Sequence, residues 1–492
     1  MKKSLKSYLM LAVYMATLTS CVNESDELSV VSDLTQTDHN SIVTEYKSGV
    51  PDNLDLEGLV IDIWSPSETN VVSENYISLN AELTGEVLDD AIYNTLLSVE
   101  EKLNVTLNFD TDILVSEAPD RIRALIMADD TTYDAFHFIQ YAGAALSAEG
   151  LYLNIKNAPY ISFDKPWWDM DYMREMTIGE DKLYCLVGDY APDRTRTLNC
   201  VYYNKQLYEE YYKDEDGLYS IVLDGDWTID KMREICTDVY VDLNTDGIPG
   251  REDQLGCCLN TLSNLDGLFY GSGAKITSRD EAGIPYIDMM NEHTANICEK
   301  LYELVYSTEG VYVSGSSFDE EIANRKKFAE DMSMFLIGFF YTAESLRDMD
   351  ADYGIVPVPK LDKTQDDYVT GLHNIMRDIA LPVNCQYPDE VCAVLEELAF
   401  QGNQTIIPAY YEVVLKDKYA RDDLSAQMFD LIRDRCTTEL AYVYGTYCNG
   451  LGLLFRNMIS QKMSSIASLY ASAESAAKEK LQVLIDQFSI AE

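Results

Sequence analysis

The chain has 492 residues, with 84 Asp and Glu against 37 Lys and Arg, a formal charge of −47. That excess repels phosphate backbones and anionic headgroups, which excludes nucleic acid and a polybasic membrane patch as partners. Hydrophobic residues make up 47% of the chain, and 35 Tyr and 14 Phe are spread along it, so it folds; at roughly 150 residues per domain it holds about three domains or two large lobes.

Lys2, Lys3 and Lys6 form a positive n-region ahead of the apolar stretch Leu9–Leu18. This stretch is the length of a signal h-region and too short to cross a bilayer, which takes about 20 residues. It ends in Leu18-Thr19-Ser20-Cys21, the pattern of a bacterial lipobox, in which the cysteine is diacylated and becomes the new N-terminus. The alternative is an ordinary secretory signal with an incidental cysteine. Residues 1–20 are read as signal peptide and 21–55 as a polar, acidic tether that reaches about 30–35 Å as a random coil.

From Leu56 the pattern becomes apolar runs alternating with amphipathic helices. Leu59–Trp64 is a buried strand between Gly58 and Pro66. Helical spacing covers Val87–Leu103, a β-type stretch follows at Val105–Phe109, Pro119 opens a helix ending near Asp130, and Tyr133–Ile139 is the next strand. After residue 200 the alternation recurs, with Val201–Tyr203 and Met332–Ile337 as strands and Trp227–Tyr240 as a helix. Ser317 and Glu320 form a capping box for the helix reaching Phe328. Strands separated by helices of this length predict βαβ units around largely parallel sheets, in two α/β lobes.

Catalytic signatures are scarce. The four histidines, His39, His137, His293 and His373, are too far apart in sequence for HExxH or zinc clusters, and no GxSxG, Walker A or GxGxxG occurs. A pair of carboxylates for glycoside hydrolysis stays open, but 84 acids make any chosen pair uninformative. Residues 242–253 fit an EF-hand loop, with Asp242, Asn244 and Asp246 at positions 1, 3 and 5, and Gly247 at 6. The Ile248 carbonyl falls at 7 and Asp253 at 12, where Glu is usual. The readings are a structural Ca²⁺ clamp or an Asx-rich surface turn. Ten cysteines besides Cys21 show no CxxC pattern; export permits bridges, while the apolar settings of Cys236, Cys298 and Cys436 suit buried thiols.

Several local patterns, in order, resemble family 1 of the extracellular solute-binding proteins of ABC importers, the maltodextrin-binding family. They are Tyr133-Asp134-Ala135-Phe136 with Gly150-Leu151-Tyr152-Leu153, then Gly179–Val187 with Val201-Tyr202-Tyr203-Asn204-Lys205. Asp226-Trp227-Thr228 follows, then the 242–253 loop with Gln254-Leu255-Gly256, and Phe335–Tyr341 with Asp352–Lys360. The resemblance spans roughly residues 56–450. It implies an α/β, two-lobed periplasmic-binding-protein fold of type II, with lobe 1 at 56–190 and 375–430 and lobe 2 at 191–374 and 431–492. It also implies a hinge that closes the lobes on a ligand which membrane permease subunits then receive. The chain would be a non-enzymatic carbohydrate receptor, held by lipid on Cys21 at the outer face of the cell membrane.

Matching positions nominate ligand contacts. Trp64 ends the first strand, Gln140 and Tyr141 follow the strand ending at Ile139, and Phe269 and Tyr270 precede a glycine pair. Phe340 and Tyr341 follow Gly338, while Tyr442 and Tyr444 lie in the C-terminal region. His373 sits at a crossover, as a cleft or structural histidine, and the doubled indole Trp167-Trp168 is either a cleft rim or a packing anchor. Tyr141-Ala142 stands where maltodextrin binders carry an Asp-Arg pair, which points away from a maltodextrin cargo. A peptide or other polar solute, a sensor role, and a surface-anchored hydrolase are the competing readings.

Overall fold

The first apolar run forms β1 (Leu59–Trp64), with Ile61, Ile63 and Trp64 buried. The helix Val87–Leu103 buries Leu88, Ile92, Val99 and Leu103 along one stripe. Asp89 and Asp90 lie in its first turn and Lys102 in its last, matching the helix dipole, and Asn104 closes it in the left-handed conformation at φ 51°. Pro119 opens the helix Ala118–Met127, where the missing N–H costs nothing.

The computed structural model describes residues 46–65, 79, 82–110, 115–179, 181–214, 216–346, 349–371, 373–416 and 423–490. The signal segment, Cys21 and the tether as far as residue 45 lie outside these residues. Among the described residues no helix is long and apolar enough to cross a membrane. Lys47–Glu492 forms one compact unit.

The strands that follow are β2 (Val105–Asp110), β3 (Ala135–Ile139), β4 (Asn199–Asn204), β5 (Leu255–Leu259), β6 (Thr277–Arg279) and β7 (Pro285–Ile287). Next come β8 (Val311–Val313), β9 (Ser333–Phe339), β10 (Tyr353–Val356), β11 (Thr370–Gly371), β12 (Arg377–Ala380) and β13 (Cys436–Thr437). The two larger sheets are ordered β12-β3-β1-β2 in lobe 1 and β10-β4-β9-β5-β8 in lobe 2, and β6-β7 and β11-β13 form two-stranded pairs. The sheets are mixed rather than largely parallel. β1 pairs parallel with β2 and β3, and β5 with β8 and β9, but β12 runs antiparallel to β3 and β4 antiparallel to β9 and β10. β4 and β12 are the strands that enter each sheet from the other lobe, so they arrive from the opposite end.

Three features depart from the expected boundaries. Residues 47–55 lie against lobe 1 instead of extending as tether: Val50 is buried, and the Gly49 amide donates to Glu396 Oε1 at 2.9 Å. The helix Asp423–Asp434 packs on β10 and on the helix Gly217–Leu223 of lobe 2, although the stretch to 430 was expected with lobe 1. The C-terminal helix Ala467–Ile490 touches β7 of lobe 2 and the turn Ala144–Glu149 of lobe 1. The capping box is half made: Ser317 Oγ accepts the Glu320 amide, while the Glu320 carboxylate pairs with Arg251.

The joint between the lobes is ionic. The single turn Asp193–Arg196 sends Arg194 to Asp169 (2.7 Å) and Asp189, Arg196 to Glu344 (3.0 Å), and Asp193 to Arg377 of β12 (2.8 Å). β11 and β13 pair beside it as parallel strands. The β6–β7 hairpin reaches back to lobe 1, where Arg279 donates to the carbonyls of Glu175 (2.7 Å) and Thr177.

Candidate functional site

Charge separates the cavities that described residues line. A cavity of about 520 Å³ presents Asp55, Glu57, Asp389 and Glu390; one of about 490 Å³ presents Lys156, Arg174, Glu175 and Arg279. A third, of about 330 Å³, presents Asp171, Arg174, Glu175, Lys275, Arg435 and Glu439. The fourth, of about 370 Å³, has no charged side chain in its lining. Its walls are Tyr141, Ala145, Asn374, Ala441, Tyr442, Val443, Tyr444, Gly445, Thr446, Gly450, Gly452 and Leu453. In a chain that is one quarter charged, such a lining suits a neutral ligand with hydroxyls and flat apolar faces.

The cleft lies at the lobe seam. Tyr141 and Ala145 follow β3 of lobe 1, Asn374 lies on the crossover between β11 and β12, and 441–453 forms the opposite wall. Tyr141 is 52% exposed, a ring free to meet a ligand. Tyr442 is held from below: its hydroxyl donates to Asp266 at 2.9 Å, and Arg456 pairs with the same carboxylate. Burial raises the Asp266 pKa against the pull of Arg456 and of that hydroxyl. Burial and the Asp266 charge in turn push the Tyr442 phenol well above its ordinary range, so it stays protonated as the donor. Gly452 belongs to the wall because a Cβ there would lie 2.6 Å from the Ala441 carbonyl oxygen and 2.9 Å from Tyr442 Cα.

Of the nominated residues, the structure brings Tyr141, Tyr442 and Tyr444 into this cleft. The others are placed elsewhere. Trp64 is fully buried in lobe 1, edge-on to Phe136 at 6.3 Å. Phe269 stacks on Phe455 at 4.6 Å, and Phe340 meets Phe429 at 4.9 Å, both as core. Tyr341 stacks on Phe339, with the Arg196 and Arg325 guanidiniums within 6 Å of its ring, so its surroundings are the chain's own groups. Tyr270 donates to the Gly452 carbonyl at 2.8 Å and lines the charged 330 Å³ cavity. As platforms for a ligand Trp64, Phe269, Phe340 and Tyr341 are corrected, each ring being packed against the protein's own groups, and Tyr270 lines a cavity other than the uncharged cleft.

Gln140 is buried, yet its Oε1 has no partner among the described residues, and the Trp64 indole N–H also lacks one. Sequence reading missed Asn260 Nδ2 and Asn264 Oδ1, buried and unpartnered where β5 opens into the helix Ser263–Gly271. Buried polar groups normally find partners, so the carboxyl ends of β3 and β5 hold hydrogen-bonding capacity that a ligand or water would use. Asn374 and the glycine rim were missed as well; the run Asn449-Gly450-Leu451-Gly452 was the available signal, with φ 50° and 74° at its first two residues.

His373 is a structural histidine. It is tilted against Phe339 at 4.5 Å, its Nδ1 accepts the Ile375 amide, and burial lowers its pKa to about 3. The doubled indole is a packing anchor: Trp168 donates to Glu396 at 2.7 Å, and Trp167 lies edge-on to Phe400. In the 242–253 loop the side chains accept the loop's own amides. Asp242 Oδ2 takes Gly247 N–H (2.8 Å), Asn244 takes Asp246, Asp246 takes Ile248, and Asp253 takes Leu243 and Gly250. Among the described residues no three His, Cys, Asp or Glu side chains gather closely enough to hold a metal. All ten described cysteines are free thiols, nine of them buried.

No protein-family model matches this sequence, and no curated protein does. Solved structures do match by shape. M. tuberculosis UspC is 13% identical with a TM-score of 0.55, covering 86% of this chain and 100% of its own. A cyclo/maltodextrin-binding protein complexed with maltotetraose is 12% identical with a TM-score of 0.53, covering 91% of this chain and 100% of its own. A family 1 extracellular solute-binding protein from Bifidobacterium longum subsp. infantis is 12% identical with a TM-score of 0.52, covering 88% and 99%. The fold is therefore that of the two-lobed solute-binding proteins.

Proposed function

We propose that this chain is an extracytoplasmic receptor that captures a neutral carbohydrate between its lobes and delivers it to an ABC importer. The observation that carries the reading is the uncharged, tyrosine-walled cleft at the seam of a strongly acidic protein. Aromatic faces pack against the C–H faces of a sugar ring, while Asn374, Thr446 and exposed backbone at the glycine rim meet its hydroxyls. The maltotetraose held by a protein of the same fold supports the ligand class. A hydrolase would need an acid–base pair, and this cleft is lined by no carboxylate or histidine. Anchoring through lipid on Cys21 belongs to the same proposal, resting on the lipobox. So does a structural Ca²⁺ in the 242–253 loop, resting on its ligand spacing.

Thermal-shift screening of neutral glycans, acidic glycans and peptides tests the function. A ligand at 100 times its Kd stabilises the native state by about 2.7 kcal/mol. Neutral sugars are expected to raise the melting temperature and peptides to leave it unchanged; the reverse pattern moves the cargo to peptides.

A further inference from the structure

Tyr442 and Tyr444 stand two residues apart in the same cleft wall, yet their hydroxyls are tied to opposite lobes. Tyr442 donates to Asp266, buried in the lobe 2 helix Ser263–Gly271. One turn further along that helix, Tyr270 donates to the Gly452 carbonyl, so a single helix face grips the wall twice. Glu439, at the start of the turn that carries Tyr442, accepts the amides of Ile276 (3.1 Å) and Thr277 (3.0 Å), also in lobe 2. Tyr444 instead donates to the Met176 carbonyl at 3.1 Å and lies 3.3 Å from Ser147 Oγ, both in lobe 1. Its ring is edge-on to Phe488, which is edge-on to Tyr184 of lobe 1.

We infer that Tyr442 and Tyr444 couple occupancy of the cleft to the relative position of the lobes. The backbone between them has no slack, because both amides are engaged, to Glu439 and Leu440 at 2.8 Å each. Two residue steps span at most about 7 Å, so lobes that separate by more than an ångström or two must break one hydroxyl tie. A sugar seated against the wall that carries both residues favours the arrangement in which both ties are made, and that difference between the two arrangements is what shifts the equilibrium. The inference rests on the receptor reading, and the two residues act here as positioning residues as well as walls.

The test uses the full chain without sugar, so its outcome is independent of cargo identity. Spin labels go on Met127→Cys in lobe 1, where the residue is 76% exposed, and on Lys326→Cys in lobe 2, where the side chain is 73% exposed. Double electron–electron resonance then reads the interlobe distance in the parent, Tyr442→Phe and Tyr444→Phe, each of which keeps the ring and removes only the hydroxyl. Loss of either tie is expected to raise the population of the separated arrangement about fivefold, broadening the distance distribution. If Tyr442→Phe does not fold, Asp266→Asn weakens the same tie from its other end. A distribution that superposes on the parent's for either tie overturns the inference, while a screen in which no sugar binds overturns the receptor reading and leaves the lobe measurement standing.

Discussion

Glu396 is buried in the helix Pro388–Gln404 and serves three donors: Gly49 N–H at 2.9 Å, Ser162 N–H at 3.1 Å and the Trp168 indole at 2.7 Å. It therefore fastens residues 47–50, the 160–168 loop and the helix together on lobe 1. Glu396→Ala leaves all three donors without their acceptor. A buried orphaned donor costs about 1–3 kcal/mol, whereas Gly49 is exposed and regains water, so the other two together cost about 2–6 kcal/mol. Urea unfolding followed by tryptophan fluorescence measures the loss, since Trp64, Trp167 and Trp168 all report on lobe 1. Limited proteolysis should show residues 47–55 newly cleavable in the variant. Glu396→Gln should fall between, because the amide keeps one acceptor but turns an N–H₂ toward donors. A loss below about 0.5 kcal/mol, the range of an ordinary surface change, would refute the docking of this segment.

Tyr141→Ala should leave stability within about 0.5 kcal/mol, its ring being half exposed, but weaken the response to any sugar that stabilises the parent about tenfold; equal titration curves would remove Tyr141 from the site. Ca²⁺ should raise the melting temperature and EGTA lower it, with Asp242→Asn indifferent to both; identical melting in the parent under the two conditions removes the calcium proposal. His137 and His373 each have a folded pKa lowered to about 3 by burial, with Arg377 near the first and Arg456 near the second. Below about pH 6.5 the unfolded chain takes protons that the folded chain refuses. Their contribution is thus complete above that pH and drops by about 1.4 kcal/mol per histidine per pH unit as pH falls toward 3. His373→Gln should flatten this slope between pH 6.5 and 5; an unchanged slope would refute the assignment. Gly452→Ala should cost about 1–3 kcal/mol, since backbone atoms of Ala441 and Tyr442 must yield to the new methyl; melting that matches the parent would show that the wall has room.

The elements were legible because they are local. Apolar runs marked β1, β2, β3 and β9 nearly to their ends and the middle half of β4, Pro119 marked a helix start, and Ser317 a cap. Two lobes followed from the alternation of those elements, and the extracytoplasmic setting proposed for the chain from its first 21 residues. The direction of β4 and β12 was not legible, because it depends on which end of a sheet the crossing chain reaches. Nor was the fate of the aromatic residues. Phe269 and Phe455, Phe340 and Phe429, and Tyr341 with Arg196 and Arg325 are neighbours only after folding, so burial turned expected platforms into core. The cleft joins Tyr141 to Tyr442, distant in the chain and drawn from opposite sides of the seam. What the sequence by itself determined was therefore the elements and the charge around them. Only the tertiary structure decided which rings line the seam cleft, because a cleft is the surface that distant segments leave uncovered.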